Sequence, residues 1–138
     1  MMKSDEGYTL TEMLVVIGII CLIAAVLTPA VLGQMNHARI KTAQLQLDVV
    51  VANVETFRSD VGRYPTRAEG LSALLTEPAG VDGWAGPYVK AKSLKDPWGG
   101  DLIYLPDADG RSFRIESLGP SGKPGGSGAD RPLFAGSR

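Results

Sequence analysis

The chain has 138 residues, with 14 basic and 15 acidic side chains and a net charge of −1. That balance lacks the basic patch of nucleic-acid binders, so no nucleic-acid partner is expected. One cysteine, Cys21, and one histidine, His37, exclude an intramolecular disulfide and a Cys/His metal cluster.

The leader Met1–Glu6 holds Lys3 but also Asp5 and Glu6, a weak basic start. Gly7-Tyr8-Thr9-Leu10-Thr11-Glu12 follows, and Met13 to Gly33 carries no formal charge. A helix of roughly 20 apolar residues spans about 30 Å, the thickness of a bilayer core. A secretory signal is the competing reading, with cleavage near Ala24-Ala25 or Ala30. The apolar run exceeds the roughly 7–15 residues that such a signal needs. Lys3 lies on one side of the run, and Arg39 and Lys41 on the other, so loop charge alone leaves the orientation open. Glu12 stands at the mouth of the span, where a lone carboxylate is costly and usually marks a function. The plainer reading is a solvated residue favoured by the positive end of the helix dipole. Cys21 reads as a small apolar packing residue. Pro29 falls inside the helical run and predicts a kink.

Beyond Pro29 the pattern becomes one-sided. Ile40, Ala43, Leu47, Val50, Val54, Phe57 and Val61 recur at spacings of three and four, a single helical stripe. Arg39, Lys41, Asp48, Glu55, Arg58 and Asp60 fill the wet side. A helix from Thr9 to Val61 would be about 80 Å long, with Gly62 as its C-terminal cap. A coiled coil is the alternative for such a length. The stripe is short, however, and the domain behind it offers a better packing partner.

About 100 residues remain outside the leader and span, enough for one modest core. The 17 Gly and 9 Pro crowd into the second half and predict many loops. Thr66-Arg67-Ala68-Glu69 fits a capping box, so a short helix is expected from Thr66 to about Leu75. Val81 to Pro87 reads as a loop, and Tyr88-Val89 as a short strand or bridge. Asp96-Pro97-Trp98-Gly99-Gly100 reads as a turn with Trp98 tucked against the core. Leu102–Leu105 and Phe113–Leu118 read as strands, the second with Phe113, Ile115 and Ser117 inward. Pro106 to Gly110 joins them as a hairpin loop, which explains Asp107 and Asp109 better than a metal loop does. Composition alone makes the stretch from Gly119 to Arg138 disordered.

The N-terminal segment resembles the leader of type IV pilins and pseudopilins. The resemblance implies cleavage between Gly7 and Tyr8 by a prepilin peptidase and methylation of the new terminus at Tyr8. Glu12 then takes the family's assembly role, neutralising the terminal amine of a neighbouring copy, and Pro29 matches its kinking proline. Tyr8 in place of Phe and Thr11 in place of Ile are departures from the pattern. Arg63-Tyr64-Pro65-Thr66 with Glu69-Gly70-Leu71-Ser72-Ala73-Leu74 is similar to the YPT…GLxAL stretch of the major pseudopilins of type II secretion. Asp96-Pro97-Trp98-Gly99 with Ile103-Tyr104, and Ser117-Leu118-Gly119-Pro120-Ser121-Gly122, are similar to two further stretches in the same order.

That resemblance implies an α+β, type IV pilin-like fold. Its parts are a leader over 1–7, a membrane and assembly helix over 8–33, and a periplasmic domain over 34–138. It implies a non-enzymatic subunit of a secretion filament, single-pass in the bacterial inner membrane. The implied partners are further copies, minor pseudopilins, the prepilin peptidase, the inner-membrane assembly platform and the secretion ATPase complex. A type IV pilus subunit for adhesion, twitching or DNA uptake is the alternative, and an anchored enzyme finds no residue set to support it. The family's C-terminal loop binds structural calcium. Carried over, the ligands are the Leu118 carbonyl, Ser121, Ser127 and Asp130. Ser121 stands where the family usually has Asp, and Arg131 where another acid is common. The alternative is a loop fixed by glycine turns and by packing of Leu133 and Phe134.

Overall fold

The computed structural model describes residues 7–137. Met1–Glu6, most of the expected leader, and Arg138 lie outside the described residues. One helix, α1, runs over Leu10–Val61 and continues through Pro29 without a break. The chain falls into two units, one ending at His37 and the other beginning at Ala38. In the first unit Leu14, Ile17, Ile20, Leu22 and Val26 are all exposed, so its helix is apolar on every side.

In the second unit the stripe is buried as its spacing predicts. Ala43, Leu47, Val50, Val54 and Phe57 are inside, with Ile40 and Val61 half-buried. Gly62 ends the helix at φ +83°, and its N–H donates to the Arg58 carbonyl at 2.8 Å. Only glycine takes this left-handed turn without strain. The core is completed by Tyr64, Leu71, Ala73, Leu74, Leu102, Phe113 and Ile115.

Three antiparallel strands follow in the order β1-β2-β3: Ile103–Pro106, Phe113–Ser117 and Leu133–Gly136. β2 alternates as expected, with Phe113, Ile115 and Ser117 buried and Arg114 exposed. Asp107 and Asp109 serve the hairpin turn. Asp107 accepts a hydrogen bond from the Ser112 hydroxyl, and Asp109 accepts one from the Arg111 N–H at 3.0 Å.

Four expectations change. The stretch after Gly119 is ordered by pairing rather than left loose. Ser117 faces Leu133 and Arg114 faces Gly136, so β3 completes the sheet. Composition hid this because glycines dilute one short strand. The capping box at Thr66 exists, with Thr66 N–H to Glu69 Oε2 at 2.7 Å and Glu69 N–H to Thr66 Oγ1 at 3.3 Å. It leads only into a 3-10 turn over Gly70–Leu74, because Gly70 sits at φ +56° and breaks the α geometry. Tyr88 and Val89 form no strand. The Tyr88 N–H instead donates to the Leu74 carbonyl at 2.8 Å. Trp84 packs on the core and donates from Nε1 to the Ala73 carbonyl at 2.9 Å, whereas Trp98 is half-buried in its turn.

Polar ties lock the turn after α1 to the sheet. Arg63 clamps Glu69 through two hydrogen bonds of 2.8 and 2.7 Å. The Tyr104 hydroxyl donates to the Pro65 carbonyl at 3.0 Å, and burial pushes its pKa up to about 12, so it stays a donor. The Arg63 guanidinium, with the Thr66 donors, holds the Glu69 carboxyl at about 2. Its folded pKa lies below the free value of 4.5, so its contribution is complete above that pH. The contribution is lost as pH falls from about 4.5 towards 2. After discounting for solvent screening at the partly exposed Arg63, that loss amounts to roughly 1–2 kcal/mol. Unfolding measured from pH 6 down should show this decline, and Glu69→Gln should flatten it. An unchanged acid slope in that variant would remove the clamp from the account.

Candidate assembly site at the head of the helix

Gly7, Tyr8 and Thr9 precede α1 without helical structure, and Tyr8 is 82% exposed. At the first turn Thr9 and Glu12 cap each other. Thr9 donates to Glu12 Oε2 from its N–H at 2.8 Å and from its hydroxyl at 3.0 Å. The Glu12 N–H returns a bond to Thr9 Oγ1 at 3.2 Å. This reciprocal box satisfies donors that a helix start leaves open. Both of these bonds to the carboxylate use Oε2.

The role of Thr9 was missed in the sequence. The signal was available, since Thr9-Leu10-Thr11-Glu12 repeats the Thr-x-x-Glu spacing read at Thr66–Glu69. Behind this head, α1 contains a stretch long and apolar enough to cross a membrane. Cys21 is exposed within it. An uncharged stretch that is apolar on every side suits a lipid interior, and Glu12 is the carboxylate at its head.

The second candidate set lies in the C-terminal loop. Leu118 is half-buried, and Ser121, Ser127 and Asp130 are exposed. Ser127 and Asp130 share one turn, with the Asp130 N–H donating to the Ser127 carbonyl at 3.2 Å. Ser121 belongs to another turn, where its hydroxyl accepts from the Lys123 N–H at 3.4 Å. Among the described residues no group of three or more His, Cys, Asp or Glu can share an ion. Calcium takes about six to eight oxygens, several of them charged. One carboxylate, two neutral hydroxyls and one carbonyl do not fit that requirement.

One polar cluster was not singled out beforehand. Asp96 is 7% exposed, and its Oδ1 accepts from the N–H groups of Trp98 at 3.1 Å and Gly100 at 2.7 Å. Its Oδ2 accepts from the buried Ser117 hydroxyl at 2.7 Å. The sequence signal was an Asp opening a Pro-Trp-Gly-Gly turn. The cross-link to β2 had no signal at that spacing.

A helix with an apolar N-terminal stretch, packed further along on a small antiparallel sheet, defines a pilin-like subunit. A solved structure described as the major pseudopilin from the type 2 secretion system of enterohaemorrhagic Escherichia coli matches it with a TM-score of 0.60. The two are 26% identical, covering 74% of this chain and 86% of that one. Residues 30–134 match the family described as type II secretion system protein G, and residues 2–28 match the prokaryotic N-terminal methylation motif. The type II secretion system core protein G of Xanthomonas campestris pv. campestris is 36% identical over 94% of this chain and 88% of its own length. Its counterpart in Pseudomonas aeruginosa is 31% identical over 95% of this chain and 94% of its own. The chain therefore belongs to the type II secretion system protein G family. The resemblance read from the leader and from the YPT, DPWG and SLG stretches is borne out.

Proposed function

We propose that this chain is a structural subunit of a type II secretion pseudopilus and does no chemistry on the exported proteins. It waits as a single-pass protein of the inner membrane, with the unit from Ala38 onward in the periplasm. Removal of the leader after Gly7 by the prepilin peptidase frees the amine of Tyr8, which is then methylated. The assembly platform and secretion ATPase complex add it to further copies of itself, beneath minor pseudopilins. The growing filament moves folded proteins toward the outer membrane.

The observation that carries this reading is Glu12, an exposed acid at the mouth of an all-round apolar helix, with both of its bonds from Thr9 on Oε2. A neighbour's Tyr8 amine supplies the missing cation. Intact mass of the protein extracted from membranes that contain the prepilin peptidase tests the first step. The expected species begins at Tyr8 and is one methyl group heavier than the bare chain. A species beginning at Met1, or cut between Ala24 and Ala30, removes the amine and with it the assembly step.

A further inference from the structure

We infer that the C-terminal loop of this chain closes on the Asp96–Ser117 link and on backbone packing, and takes no calcium ion. The loop offers an ion too little negative charge. Between Leu118 and Pro132 the only acid is Asp130, against Lys123 and Arg131. Several carbonyl oxygens of the loop are engaged as well. The Gly119 carbonyl accepts from the Gly122 N–H at 3.2 Å, and the Ser127 carbonyl from the Asp130 N–H at 3.2 Å. The Asp130 carbonyl lies against Gly126, where a Cβ would stand only 2.0 Å from that oxygen.

What an ion would do is to hold the two ends of the loop together, and here the protein does so itself. The Ser117 hydroxyl donates to Asp96 and accepts from the Gly119 N–H at 3.2 Å. Gly119 is buried at φ +70°, and a Cβ there would lie 3.3 Å from the Arg131 carbonyl. The outgoing end thus rests directly on the returning end. Leu133 then pairs opposite Ser117, closing the circuit. The acid that holds Ser117, Asp96, is buried and has three donors. Such a group needs no counter-ion within the loop.

Hydrogen exchange of the full-length protein in detergent, read across residues 118–132, tests this with calcium chloride and with EGTA. Exchange should be the same in both, within about 1.5-fold. Ser117→Ala and Asp96→Asn should speed exchange there about tenfold or more, and added calcium should not restore it. The milder Ser117→Ala keeps the test open should Asp96→Asn fail to fold. Slower exchange across the loop in calcium overturns the inference, because a ligand that binds only the closed form stabilises it by mass action. So does unchanged loop exchange in a folded Ser117→Ala protein, which would leave the link without a role.

Discussion

Glu12→Ala should abolish filament growth and secretion while leaving the chain inserted in the membrane. Insertion depends on the apolar stretch behind Glu12, which the substitution does not touch. In the proposed assembly step, the Glu12 carboxylate pairs with the Tyr8 amine of a neighbouring copy. Removing one member of such a pair leaves the other charge without a partner. A second variant separates two roles of the same side chain. Glu12→Gln can still close the box with Thr9, since glutamine serves at that position, but carries no charge. It should fail as Glu12→Ala does. Sheared-filament yield, secretion of a reporter and membrane fractionation read the three quantities. Secretion at the normal level in either variant would falsify the charge-pairing account, and recovery in Gln alone would reduce Glu12 to a helix cap.

Phe57→Ala should strongly destabilise the unit from Ala38 onward. Phe57 is 0% exposed and meets the Tyr88 ring edge-on at 5.8 Å. Emptying such a site costs about 3–5 kcal/mol, from lost transfer energy and an unfilled cavity. The whole stability of a domain of this size is only about 5–15 kcal/mol. Val49→Ala is the control, because Val49 lies on the same helix but is 56% exposed. That change should stay within about 0.5 kcal/mol. Denaturant unfolding of both proteins gives the comparison. A Phe57→Ala loss below about 1 kcal/mol would mean that the contact surface is not the core of the unit.

Periodic elements were legible in the sequence, and contacts across the fold were not. The stripe from Ile40 to Val61 named the buried side of α1 because burial repeats with the helix turn. The alternation in Phe113–Ser117 fixed the inward face of β2 for the same reason. β3 was lost among glycines, since four residues carry too short a pattern to outweigh their surroundings. The 3-10 turn was misread because capping chemistry marks where a helix starts, while Gly70 decides how far it goes. At the candidate site, Glu12 stood out as a charge beside an apolar run. Thr9 did not, because a threonine at the head of a helix looks ordinary until its hydroxyl is seen on the carboxylate. The Asp96–Ser117 bond joins residues far apart in sequence, and no local pattern carries it.

The turn joining β1 to β2 is short, and the connection from β2 to β3 is more than twice as long. The entropy of closing a chain grows only with the logarithm of its length, about 0.6 kcal/mol for each doubling. Pairing the distant strand is therefore scarcely harder than pairing the near one. What distinguishes it is where the ends rest. Ser117 and Gly119 at the outgoing end, and Arg131 and Leu133 at the return, meet at defined atoms. The exposed residues from Pro120 to Gly125 meet few such demands. This stretch of surface can lengthen, shorten or change in composition while the sheet stays closed, which leaves it open to variation between otherwise similar filaments.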